Sequence, residues 1–335
     1  MQRHDFASDN VAGAMPEVLE ALGRYNGGFM AAYGEDEVGA RAGDLIRHLL
    51  DVDAEVRFAS SGTAANALTL AALAAPHEAV IAHQHSHVAT DETGAPGFFG
   101  AGMGIIPVSG AHGRIDGAAL AKALAQPDDP HWQSPAALSL TNATEYGALY
   151  HEAALTSLIG NAKAGELRVH VDGARLAYAA AAGFDVRTLG KTGVDIVVLG
   201  GTKVGSTPTE AIVLIEPSVR RRFGARLKHG GQLVSKARFL AAPWIGMLES
   251  GAWTERARHA NTMAARLAER MPFPLAHPVE ANSVFVEMNE AVLERLRGAG
   301  WFVYRVIDGS VRFMCSWATT DAAIEELAEA LALAA

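Results

Sequence analysis

A single cysteine, Cys315, stands among 335 residues, which excludes an intrachain disulfide and any multi-cysteine zinc or iron–sulfur site. Basic residues are in deficit: 28 Lys and Arg against 37 Asp and Glu give a formal charge of -9. Such a surface is not built to neutralise nucleic-acid phosphates, and the one basic cluster, RRRFGARLKHGG at 220–231, is too local to change that. No run approaches the roughly 20 apolar residues of a membrane span, and the opening MQRHDFASDN lacks the apolar core of a secretory leader. Nucleotide signatures are also absent, because no Gly-Lys-Ser/Thr occurs after SSGT and GAGMG at 100–104 lacks the GxGxxG spacing. These absences predict a cytoplasmic protein whose partners include neither nucleic acid nor membrane.

What is present is ample apolar material, 50% of residues, enough for one large domain and a smaller one. The first residues show no regular period and read as an arm over 1–15; MPEVLEALGRYN and VGARAGDLIRHLLDV then read as helices. Short apolar runs follow, many of them β-branched: EVRFA, AVIA, GIIPV, ALSLT, RVHVD, DIVVLG and EAIVLIE, separated by helix-like segments. Alternation of this kind predicts an α/β large domain over 16–245 with a mainly parallel sheet covered on both faces. A helical stretch leads into the final segment, 246–335, where NSVFVEM, WFVYRV and VRFMCSW are strand-like and TTDAAIEELAEALALAA closes as an amphipathic helix. This second unit reads as α+β.

HQHSHVATDE places His83, His85 and His87 at every second position. On a strand, that period sends all three imidazoles to one face, where a carboxylate such as Asp91 or Asp172 would complete a hydrolytic metal site. A different constellation competes with it. The strand RVHVD ends in Asp172, with Arg175 shortly after, and the strand DIVVLGG ends in Thr202 and Lys203. Ligands bind at the carboxyl ends of strands in open α/β sheets. A lysine and an aspartate there match the needs of pyridoxal phosphate, a Schiff-base amine and a carboxylate against the ring nitrogen. SSGTAAN, set between a strand and a helix, would offer Gly62 and Thr63 to its phosphate.

In order along the chain, FASDNVAGAMPEVLEAL, AAYGEDE, SSGTAAN, SHVATDETGAP, VHVDGARLAYA, GGTKVG, NSVFVEM and VRFMCSW cover nearly its whole length. Together they resemble the threonine aldolases of the β-eliminating lyase group, within the aspartate-aminotransferase-like, fold type I pyridoxal-phosphate enzymes. The resemblance implies a large cofactor domain with a small C-terminal domain, and retro-aldol cleavage of threonine, allo-threonine or phenylserine-type substrates to glycine and an aldehyde. Lys203 then matches the Schiff-base lysine, Asp172 the partner of the ring nitrogen, Gly62 and Thr63 the phosphate cradle, and His87 the imidazole stacked on the ring. Ser8, Arg175 and Arg312 match the groups that hold the substrate carboxylate, and Tyr33 a loop residue lent by a neighbouring subunit of a homodimer or homotetramer.

Two departures stand out. Many members of the resembled family carry a second histidine in the segment corresponding to TNATEYG, where this chain has Thr144 and Glu145, which leaves His87 as the expected proton acceptor and His85 as a lesser helper. Near the basic run, KHGGQLVSKAR puts Lys228 where it could reach a cofactor phosphate of an adjacent subunit.

Overall fold

Seven of the short apolar runs form one sheet in the computed structural model, which describes residues 2–127 and 129–335. They are β1 (Glu55–Ala59), β2 (Glu78–His83), β3 (Gly104–Val108), β4 (Ser134–Thr141), β5 (Arg168–Gly173), β6 (Ile196–Gly200) and β7 (Glu210–Leu214). Their spatial order is β1-β7-β6-β5-β4-β2-β3. The run from β6 through β5, β4 and β2 to β3 is parallel, whereas β7 is antiparallel to both its neighbours.

Alternate side chains leave the sheet toward two different apolar layers. Val197 and Leu199 enter one, and Ile196 and Val198 the other; the same division separates Ile81 from Val80. Both faces are thus covered, which is why β6, and β7 after Glu210, read as continuous apolar runs. Each such side chain contributes about 1.5–3 kcal/mol by leaving water. The helix Gly62–Leu73 lies in the second layer, and Ser61 caps it by accepting from the Ala64 amide at 3.2 Å.

A second, three-stranded sheet contains β8 (Ser283–Val286), β9 (Tyr304–Arg305) and β10 (Val311–Met314), antiparallel in the order β8-β10-β9. The helix Ala252–Glu269 joins the two units: Trp253, Ala257 and Ala260 pack into the large core, Met263, Ala264 and Leu267 into the small one. WFVYRV pairs with β10 only at Tyr304–Arg305, while Trp301 makes an isolated bridge to Arg3 and packs with Val303 in the small core. The N-terminal arm is annexed to the same unit. Phe6 is buried there, its carbonyl accepts from the Met314 amide at 2.9 Å, and Arg3 bridges Trp301 in parallel. Ser8 and Asp9, two and three residues after Phe6, are thereby delivered to the boundary between the sheets. Among the described residues no helix is long and apolar enough to cross a membrane.

Candidate active site

Parallel neighbours β5 and β6 end at the same sheet edge, so Asp172 and the short helix Thr202–Gly205 carrying Lys203 are brought together by register. A cleft of about 550 Å³ opens there, lined by Lys203, Arg175, Arg312, His85, His87 and Glu145, among others. Asp172 sits beneath it, 2% exposed. Its oxygens accept from Asn66 Nδ2 at 2.9 Å and from the Ala174 amide at 3.0 Å. Burial alone would raise this carboxyl, but the charge of Lys203, the amide of Ala174 and the His87 imidazole hold it below the usual range. It is a buried anion facing an amine.

From Asp172 a chain of hydrogen bonds leads to the cleft wall. Asn66 Nδ2 also donates to Glu92 Oε1 at 2.8 Å, and the same oxygen lies 2.8 Å from His87 Nδ1. The Glu92 bond raises the His87 imidazole above its ordinary value against the opposing effect of burial. Two residues before Asp172 on β5, His170 is fully buried, with Nδ1 at 3.0 Å from Ser139 Oγ; burial pushes it down to about 4, so it is neutral.

The histidine run corrects the expectation drawn from its spacing. Only His83 lies on a strand; His85 occupies the following turn and His87 opens the short helix His87–Thr90. Their partners differ accordingly. His83 donates through Nε2 to the Gly110 carbonyl at 3.1 Å and accepts the His85 amide at Nδ1, also at 3.1 Å. His85 Nδ1 lies 2.7 Å from the Tyr146 hydroxyl, and His87 is tied to Glu92. Asp91 accepts from Thr90 Oγ1 at 2.7 Å. Among the described residues no group of three such side chains is arranged around a common metal position.

At the rim, Arg175 is 6% exposed and already occupied: Nε and Nη2 bind Asp9 at 2.8 and 3.1 Å, and Nη1 lies 3.6 Å from Glu145 Oε2. Burial would raise Asp9, but Arg175, with Lys203 and Arg312, holds it low. Arg312 is the freer guanidinium. Its Nε is buried without a partner, and Nη2 makes only a long 3.4 Å bond to the Ala7 carbonyl. Ser8 lines the cleft while its hydroxyl accepts from the Asn10 amide at 3.2 Å.

Not every expected residue gathers here. Gly62 and Thr63 lie off the cleft lining, at the N-terminus of the helix whose next turn supplies Asn66. Tyr33 is on a different surface, half-exposed, with Lys228 Nζ 5.0 Å from its ring centre. Thr144 is buried and donates to the His112 carbonyl at 2.8 Å, so only Glu145 of that pair faces the cleft.

Sequence reasoning missed Asp9, Asn66, Glu92 and Glu210. Asp9 follows Ser8 directly and Asn66 falls one turn after Gly62, a weak signal in each case. Glu210 faces Gly200 across β6 and β7, is buried, and accepts the Gly201 amide at 2.9 Å, just before Lys203; burial raises its carboxyl to about 7.

Three comparisons bear on this geometry. The family profile described as beta-eliminating lyase matches residues 5–291. The chain is 41% identical to a low specificity L-threonine aldolase of Pseudomonas sp. (strain NCIMB 10558), covering 98% of this chain and 96% of that protein. It is 42% identical to a low specificity L-threonine aldolase of Pseudomonas aeruginosa, with 98% and 97% covered. A solved threonine aldolase structure from Leishmania major superposes with a TM-score of 0.92 at 28% identity, covering 98% of this chain and 99% of the other.

Proposed function

The chain belongs to the β-eliminating lyase family, and from that membership we propose that it cleaves β-hydroxy-α-amino acids, L-threonine and L-allo-threonine among them, to glycine and an aldehyde. The observation that carries this reading is the buried anion Asp172 beneath Lys203, at the parallel strand ends, in one cleft with a guanidinium that lacks a full set of partners.

These residues fit pyridoxal phosphate. A carboxylate held ionised in a buried site, with its oxygens set by Asn66 and Ala174, suits a protonated ring nitrogen, and Arg312 Nε is a buried donor with nothing to bind. Lys203 would hold the group covalently, Asp172 its ring nitrogen, His87 its face, and the helix start at Gly62 and Thr63 its phosphate. When bound, it supplies an electron sink for the pair left at Cα when the Cα–Cβ bond breaks.

The chain's own residues do the rest. Arg312 offers a planar fork to the substrate α-carboxylate, with Ser8 beside it and Arg175 fixed behind by Asp9. Glu92 holds His87 in one orientation through Nδ1. A base on the cleft wall must take the β-hydroxyl proton. Tyr33 does not line its own cleft and is half-exposed, which supports its service to the cleft of a second copy in a homodimer or homotetramer.

Incubation of the cofactor-loaded protein with L-threonine should release glycine and acetaldehyde in equal amounts. An oxo acid and ammonia without glycine would instead mark a β-eliminating lyase or an aminotransferase.

A further inference from the structure

The cleft wall also carries a ring assembly that no step of the cleavage has yet claimed. His85 and Tyr146 both line the cleft, and the phenol oxygen lies 2.7 Å from His85 Nδ1. Tyr146 is 4% exposed and clamped: its ring stacks on His277 at 4.2 Å and 17°, and meets Phe285 edge-on at 5.8 Å. His277 is itself fixed, with Nε2 at 2.6 Å from Asp308 Oδ2 and Nδ1 at 2.9 Å from His112 Nδ1. A hydroxyl held this firmly is a positioning device.

We propose that His85 is the catalytic base for the substrate β-hydroxyl and that Tyr146 is its positioning residue, an assignment that rests on the aldolase reading. The three neighbouring imidazoles differ in what they leave free. Both ring nitrogens of His83 are committed to backbone groups. His87 is tied to a carboxylate, which favours the imidazolium and weakens it as an acceptor. His85 is bound only to a phenol, which burial keeps protonated, and its Nε2 has no hydrogen-bond partner among the described residues. A hydroxyl both donates and accepts, so Tyr146 serves either tautomer of His85 and the charged ring between them.

The step balances without an added reagent. The O–H bond of the β-hydroxyl breaks and its proton goes to His85 Nε2. The oxygen pair becomes the second bond of the aldehyde C=O, and the Cα–Cβ pair leaves with Cα. Cα then takes a proton to become glycine, and His85 returns its own to water. Glu145, which lies 3.6 Å from Arg175, is the competing acceptor in the cleft.

Two reactions of the cofactor-loaded enzyme separate the roles: L-threonine cleavage, which needs the β-hydroxyl proton, and exchange of glycine Cα hydrogens in D₂O, which does not. His85→Asn should lower cleavage by roughly 100-fold while glycine exchange and the visible absorbance stay within about twofold of wild type. Tyr146→Phe should lower kcat about tenfold with KM unchanged. The proposal is overturned if His85→Asn cleaves at the wild-type rate, if glycine exchange falls in step with cleavage, or if Glu145→Gln alone reproduces the selective loss. Wild-type enzyme that exchanges glycine hydrogens yet cleaves no β-hydroxy amino acid would instead sink the aldolase reading beneath it.

Discussion

At the floor of the cleft, Asp172 and Lys203 are carried by β5 and β6, parallel neighbours in the interior of a seven-stranded sheet; at the rim, Arg312 comes from a three-stranded antiparallel sheet and Ser8 and Asp9 from the chain's first residues. The floor is fixed by register, and its carboxylates Asp172 and Glu210 accept hydrogen bonds from the turns and helix immediately around them. The rim is held by a buried ion pair, Asp9 with Arg175, that ties the chain's start to the turn after β5. Changes in the floor should therefore remove chemistry and spare folding. Changes in the rim should cost stability and substrate affinity together.

The largest contrast is expected from Lys203→Ala, which should abolish aldehyde release by more than about 10³-fold with the melting temperature unchanged. A large loss of stability in that variant would erase the distinction. Asp9→Asn should do the reverse, destabilising by about 3 kcal/mol, the lower end for breaking a buried pair, as read in denaturant unfolding. The sign of its pH dependence follows from the depressed carboxyl. Its contribution is present above the unfolded value of 3.8 and is lost as pH falls through the lower folded value, so Asp9→Asn should flatten that acid limb.

Arg312→Lys keeps the charge but removes the fork, and should raise KM for threonine about tenfold with a smaller change in kcat. An unchanged KM would move the carboxylate site elsewhere. The smallest effect belongs to Glu210, whose carboxyl is raised by burial to about 7 from an ordinary 4.5. Between those values the native state binds the extra proton, so wild-type stability falls as pH rises. Glu210→Gln keeps an oxygen for the Gly201 amide and cannot ionise, so melting curves from pH 4.5 to 7 should show a shallower decline.

Legibility in the sequence follows the same division. Asp172 and Lys203 are readable because strand ends, a helix between them and the needs of one cofactor are all local patterns, and the sheet itself follows from the apolar runs. The histidine run misleads for an equally local reason: β2 stops at His83, and the period of a strand says nothing about a turn and a helix start. Asp9 and Asn66 escape notice because their partners, Arg175 and Asp172, lie 166 and 106 positions away. Periodicity does not report such distances. Tyr146, next to the expected departure at Thr144 and Glu145, gains its meaning only when His85 and His277 are brought to it from both sides.

The central claim is that Lys203, at the end of β6, is the attachment point of the chemistry on the cleft floor. Borohydride reduction of the protein loaded with pyridoxal phosphate, followed by peptide mass mapping, tests it directly. A pyridoxyl phosphate adduct on Lys203 alone is the predicted result; an adduct on Lys228 or another lysine, or a protein that takes up no label, would contradict it.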